Sequence, residues 1–358
     1  MSSRRPGTGT FVVLDAMRGI AALLIAMRHV EPFFGAIPFG ESFLAVDLFF
    51  LLSGTVICHA YEGRLRQGLS VPRFMWIRAV RIYPLYLLGS AVGVLNVVLR
   101  GDVGPLELAG RVGLGLLLLP DLVGDSLFSL NGPAWSLFLE VWVNLAYALA
   151  VRHLTTRRLL LLLGCTAPVL AACVATSAEG SLDLGWTRDT ILVGVPRVAF
   201  SFFAGVLIHR IHTAYAAPAV LRSSVLPWIL LLVVAAVLVA APPPSIRPAY
   251  DLVACCVLFP VLVYAALPAR PPAAATRLFG LAGRLSYPVY ALHVPVAVLV
   301  GRVVAAATAR PAEAFAPALG FVFLPLFCAL CLLLDRRFDG PLRRWLLRRS
   351  ERSRVPVF

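Results

Sequence analysis

Apolar stretches long enough to cross a bilayer recur from one end of this chain to the other, and they limit what it can fold into. A helix needs about 17–25 residues to traverse the hydrocarbon core. Such stretches lie at 11–30, 42–60, 82–99, 134–151, 159–176, 189–209, 225–241, 250–267, 285–305 and 315–334. They are continuous rather than alternating, which argues against a β-strand pore. The expected fold class is therefore all-α, a polytopic membrane helix bundle with about ten transmembrane helices. Only 14% of the 358 residues are charged, against about 25% in soluble domains. The 60% hydrophobic content excludes a disordered chain, and the length excludes a small disulfide scaffold. A net charge of +14 would suit a nucleic-acid binder, but such a protein could not keep this much apolar surface in water. The partners expected are membrane lipid and no nucleic acid.

Loop charge sets the orientation, because Arg-rich loops stay cytoplasmic. All 32 basic residues are Arg. With Arg4 and Arg5 inside, ten spans put Arg64, Arg66, Arg73 and Arg78 inside, then Arg152, Arg157 and Arg158, then Arg210 and Arg222, then Arg270, Arg277 and Arg284. The tail carries Arg343, Arg344, Arg348, Arg349, Arg352 and Arg354 on the same side, while Glu31, Glu41, Glu179 and Asp183 fall outside. A further apolar run at 112–120 would flip every later loop if it crossed, so it is expected to be re-entrant or to lie at the outer interface. The chain reads as one integral-membrane domain over 1–358, with spans from 11 to 334 and a basic cytoplasmic tail at 335–358. Both termini are expected in the cytoplasm. Pro242, Pro243 and Pro244 form an outer turn, and Pro268, Pro271 and Pro272 an inner linker. The first segment is no cleaved signal peptide, since it carries Asp15, Arg18, Arg28 and His29. The seven Cys all sit in apolar runs and read as buried, inert thiols. Cys328 and Cys331 have CxxC spacing without a second pair, so no metal site is expected.

An ionisable residue inside a span is costly unless it is paired or wet, so each is a functional candidate. Arg18 and His29 are eleven residues apart on the first span, about three turns, which puts them on one face roughly 16 Å apart. Asp15 is one turn before Arg18 and can pair with it. The plain alternative is an Arg snorkelling to the inner rim and a His satisfied at the outer end. Arg28 lies off that face and reads as snorkelling or locally paired. Asp47 opens the second span as either a wet-cavity carboxylate or an interfacial one, and Ser53-Gly54 reads as a close-packing pair. Arg78 and Arg81, three apart, can grip phosphate bidentately or serve only as a positive-inside anchor. Glu140 lies about two turns into its span and needs a partner, for which His29 is suited. Ser286, Tyr290 and His293, at i, i+4 and i+7, make one polar stripe, either catalytic or structural.

Together these segments resemble the acyltransferase-3 family of bacterial integral-membrane O-acyltransferases. The family's Arg-x10-His element is Arg18 to His29, and its Val-Asp-x-Phe-Phe-x-x-Ser-Gly element is at 46–54. Arg78, Arg81, Pro84 and Tyr86 match Arg-x-x-Arg-x-x-Pro-x-Tyr, Trp135 to Glu140 match Trp-Ser-Leu-x-x-Glu, and Ser286 to Pro295 match Ser-Tyr-x-x-Tyr-x-x-His-x-Pro. The sequence departs from the pattern at Val141-Trp142-Val143-Asn144, where carboxylates are usual, and at Ala291 and Val294, where bulky aromatics are common. Some relatives carry an added extracytoplasmic hydrolase-like domain, which is not expected here.

The resemblance implies transfer of an acyl group, usually acetyl, from cytoplasmic acyl-CoA to a sugar hydroxyl in the bacterial inner membrane. Acceptors would be a cell-surface polysaccharide, lipopolysaccharide or a lipid-linked precursor, or else a small glycosylated metabolite. His29 would be the base, because neutral imidazole titrates near working pH. Glu140 or Asp47 would orient it. Arg78, Arg81 and Arg73 would hold the CoA phosphates, with Arg18 guiding the arm. Ser136, Tyr290, His293 and Ser53 are candidates for oxyanion or acceptor hydrogen bonds. Direct transfer and an acyl-His29 intermediate both remain open, as do a homo-oligomer and a glycolipid transporter without acyl transfer.

Overall fold

A computed structural model describes residues 11–35, 37, 39–124 and 126–352, and it is helical with no strand among them. Arg4, Arg5 and Arg354 of the expected basic termini lie outside the described residues. The α-helices are α1 (Val12–His29), α2 (Ala45–Arg66), α3 (Val71–Arg100), α4 (Pro105–Leu116), α5 (Ala134–Ala150), α6 (Thr156–Thr176) and α7 (Gly194–Ala214). They continue with α8 (Leu226–Val239), α9 (Arg247–Val253), α10 (Phe259–Ala266), α11 (Ala273–Thr308), α12 (Ala318–Leu334) and α13 (Gly340–Arg352).

Seven helical segments are long and apolar enough to cross a membrane, at 42–66, 71–100, 156–176, 191–214, 247–266, 273–308 and 318–350. α5 and α8 are apolar but shorter, and the 18-residue α1 carries Asp15, Arg18 and Arg28. All ten expected stretches are thus helical, and the chain is a polytopic membrane helix bundle. The stretch at 247–266 is α9 and α10 joined by a π turn, Ala254–Leu258. The run at 112–120 is split, with 112–116 forming the end of α4 and 117–120 following it as a turn. α4 begins earlier, packs on α3, and at 12 residues is about 18 Å long, too short to cross.

Local chemistry sets several helix ends. Pro72 opens α3 where a missing N–H costs nothing, and Gly101 closes it at φ +73°. The Thr155 hydroxyl accepts a hydrogen bond from the Arg158 N–H at 3.2 Å and caps α6. α3 and α11 both start earlier than their apolar stretches, so Arg73, Arg78, Arg277 and Arg284 are helical.

α1 packs against α11, α8 and α2, while α2 packs along α7, and α3 along α11 and α5. The α2–α7 contact is set by Gly54, where an added methyl would overlap the Phe202 carbonyl, and by Gly205 against Leu51. This is the close approach that small residues permit between membrane helices. The basic end of the bundle is tied by Arg66 and Arg210, which both donate to the Leu154 carbonyl. The opposite end is tied by Arg28, which donates to Gly40 O and to Asp183, both at 2.7 Å. Arg28 is therefore paired with a distant loop rather than locally.

The deepest charged pair joins α2 to α7. Arg197 and Asp47 are each 1% exposed and meet through two guanidinium N–H groups. Arg197 also donates to the Leu184 carbonyl and lies over the Trp135 ring, 5.6 Å from its centroid. The pair locks α2, α5, α7 and the 181–190 loop together.

Candidate active site

A cavity of about 200 Å³ runs into the bundle between α1, α2, α3, α5 and α11. Arg18, Arg78 and Arg81 line it together with Ser53, Glu140, Ser136, Tyr287 and Tyr290. α1, α3, α5 and α11 each contribute because the polar residues of all four fall on the faces turned inward.

Glu140 is the hub of its middle section. Its Oε1 accepts from Ser53 Oγ at 2.5 Å, from Asn144 Nδ2 at 3.0 Å and from Arg78 Nη2 at 3.1 Å. The Nε of Arg78 is buried without a partner. Arg18 has only a long contact to Asp15, 3.9 Å. Two guanidinium groups thus face one carboxylate on the cavity wall, with N–H donors to spare for an anion. Arg81 stands over the Tyr287 ring, 5.1 Å from its centroid, and is 3.9 Å from Asp339. Arg73 lies outside the lining and donates to Ser350.

The far end of the cavity is closed by Tyr290. Its hydroxyl meets Ser136 Oγ at 2.5 Å and donates to the Pro133 carbonyl at 3.2 Å. On its other side its ring is 5.9 Å from that of His293. His293 is 0% exposed and its Nε2 is 2.8 Å from His29 Nδ1. His29, at the C-terminal end of α1, is exposed. The parallel packing of α1 on α11 brings these two residues, 264 positions apart, to one level.

A protein-family model described as an acyltransferase domain matches residues 11–336. The chain belongs to the acyltransferase-3 family. A similar protein is "Protein 2 in picA locus" of Rhizobium radiobacter, 40% identical over 182 residues, which cover 46% of this chain and 95% of that protein. No solved structure matches.

Within this acyltransferase, the structure groups Arg18, Arg78, Arg81, Ser53, Glu140, Ser136 and Tyr290 around one cavity, with His29 and His293 just beyond it. It does not bring either expected carboxylate to His29. Asp47 is consumed by Arg197, and Glu140 by Arg78, Ser53 and Asn144. The position beside His29 belongs to His293. Arg197 escaped the sequence reading, although it could have been found as an ionisable residue inside a span. Asn144, one turn after Glu140, does donate to it. Among the described residues no group of three His, Cys, Asp or Glu could hold a metal.

Proposed function

We propose that this membrane acyltransferase moves an acyl group, most simply acetyl, from cytoplasmic acyl-CoA to a sugar hydroxyl of a cell-surface polysaccharide, lipopolysaccharide or lipid-linked precursor. The observation that carries the reading is the single cavity lined by Arg18, Arg78 and Arg81 and ending one aromatic ring from the His29–His293 pair. The basic end would face the cytoplasm, as loop charge requires.

A volume near 200 Å³ is below that of typical drug-sized ligand pockets, about 300–1,000 Å³. It suits a narrow pantetheine arm and leaves the nucleotide at the mouth. Arg18 and Arg78 would then meet the phosphates nearest the arm. The roughly 16 Å from Arg18 to His29 along α1 is the distance the arm would bridge, passing the Ser136–Tyr290 contact.

The carbonyls beside His293 favour one proton pattern for the histidine pair. His293 Nδ1 contacts the carbonyls of Val289 at 3.0 Å and Tyr290 at 2.9 Å. Carbonyls only accept, so His293 carries its proton on Nδ1 and offers the Nε2 lone pair. His29 therefore donates from Nδ1, and its own Nε2 is the free base. In direct transfer, His29 Nε2 takes the sugar hydroxyl proton as the oxygen attacks the thioester carbonyl. His293 Nε2 stabilises the imidazolium through the same hydrogen bond. Collapse of the tetrahedral adduct breaks the C–S bond, and His29 returns the proton to the departing thiolate of CoA. Purified protein should release free CoA from acetyl-CoA in the presence of an acceptor glycan, and His29→Ala should not. Release at half the wild-type rate or more by that variant would refute the assignment.

A further inference from the structure

The segment after α12, as far as Arg352, is helical and packs back on the bundle. α12 runs through a π turn, Asp335–Asp339, into α13. Leu342, Arg343, Leu346 and Ser350 form its half-buried face, and Arg344, Trp345 and Arg348 its exposed one. That inner face lies on α3, where Ser350 accepts from Arg73. The turn is tied to α11 by Arg284, which donates to Asp335 at 2.6 and 2.9 Å.

This docking puts Asp339, with a side chain 1% exposed, between two guanidinium groups. Arg343 Nε is 3.1 Å away and Arg81 Nη1 3.9 Å. Neither Asp339 oxygen makes a well-directed hydrogen bond. One carboxylate thus holds two arginines loosely and leaves N–H groups on each for a stronger acceptor. Arg81 lines the cavity beside Arg18, and Arg343 shares the Asp339 carboxylate with it.

We propose that Arg343 and Arg81 seat the ribose 3′-phosphate of the acyl-CoA donor, with Asp339 as the positioning residue that holds the two guanidinium groups apart. This rests on the donor reading above. The chemistry sorts the phosphates by depth. The pyrophosphate follows the pantetheine arm and so meets Arg18 and Arg78. The 3′-phosphate is a phosphomonoester at the far end of the molecule, where a guanidinium pair at the mouth gives it bidentate donors.

The test is binding of CoA and of 3′-dephospho-CoA to the purified full-length protein by calorimetry. Wild type should prefer CoA about tenfold. Arg343→Ala should erase that preference, weakening CoA about tenfold and leaving 3′-dephospho-CoA within twofold. Arg344→Ala, on the exposed face of the same helix, should leave both affinities as they are. Thermal melts establish that the variants fold, and Arg343→Gln, which keeps most of the stem, substitutes if Arg343→Ala does not. An unchanged CoA preference in the variant, or an equal weakening of both ligands, overturns the 3′-phosphate seat. A wild-type protein that binds neither ligand refutes the donor reading itself, and the seat with it.

Discussion

Replacing His293 tests the proposal that His29 is the base and His293 the group that orients it. In the structure His29 Nδ1 and His293 Nε2 are 2.8 Å apart, and His293 is pinned by two backbone carbonyls. The bond is neutral while His29 waits and charge-assisted once it holds the acceptor proton. Neutral hydrogen bonds contribute about 0.5–1.5 kcal/mol and those to charged groups about 1.5–3 kcal/mol. The gain in the transition state is therefore about 1–2 kcal/mol, and loss of the fixed tautomer adds to it. At about 1.4 kcal/mol per decade, His293→Ala should lower kcat roughly tenfold to a hundredfold. KM for acyl-CoA should stay within about twofold, since the arginine wall is untouched. His29→Ala should cost about a hundredfold to ten-thousandfold, the contribution of a general base. Because His293 acts only through His29, the double variant should be no slower than His29→Ala alone. The assay is CoA release followed with a thiol reagent and normalised to folded protein, since deleting a fully buried ring also leaves a cavity. A double variant slowed by the product of the two single effects would refute the coupling, as would full activity in His293→Ala.

Three further outcomes follow from other contacts. Arg78→Ala should raise KM for acyl-CoA about tenfold, and an unchanged KM would make Arg78 only a membrane anchor. Asp47→Asn leaves the Arg197 charge uncompensated at 1% exposure, which should cost about 3–5 kcal/mol and show as loss of folded protein in detergent; a thermal midpoint equal to wild type would show that the pair is not needed. Burial and the nearby Asp251 carboxylate push Glu41 up to about 7, although Arg247 sits 2.9 Å away. A raised carboxyl stabilises the fold fully below its unfolded value, about 4.3, and loses that contribution as pH rises through about 7. The melting temperature should thus fall by a few degrees between about pH 5.5 and 8.5, and Glu41→Gln should flatten the profile; a flat wild-type profile would contradict it.

The helices and several wall residues were legible because each rests on local sequence. Apolar length marked the spans, and the Arg18–His29 spacing marked one helix face. Partnerships between distant residues were not legible. His29 meets His293 across 264 positions and Asp47 meets Arg197 across 150. A lone carboxylate in a span announces that it needs a partner without saying which. Glu140 was the favoured orienter of His29 and Asp47 the other candidate, and only packing shows that one is a cavity hub and the other a buried lock. α13 was hidden for another reason. Its leucines recur at helical spacing, but its arginines also fit the loop-charge pattern, and that simpler explanation absorbed them.

The contact between Tyr290, Ser136 and Pro133 has a consequence for the membrane as an electrical barrier. Arg18, Arg78, Arg81 and Glu140 line the cavity on one side of Tyr290, and His293 and His29 lie beyond it; a water-filled path joining such groups would conduct protons. Each elementary charge crossing an energised membrane dissipates about 2.3 kcal/mol per 100 mV. The Tyr290 ring stands between the cavity and His293, with its hydroxyl held by Ser136 and Pro133 at the start of α5. Under the proposed transfer from acyl-CoA, the passage must open for a thioester and stay shut to protons, and Tyr290 is the side chain on which both demands fall.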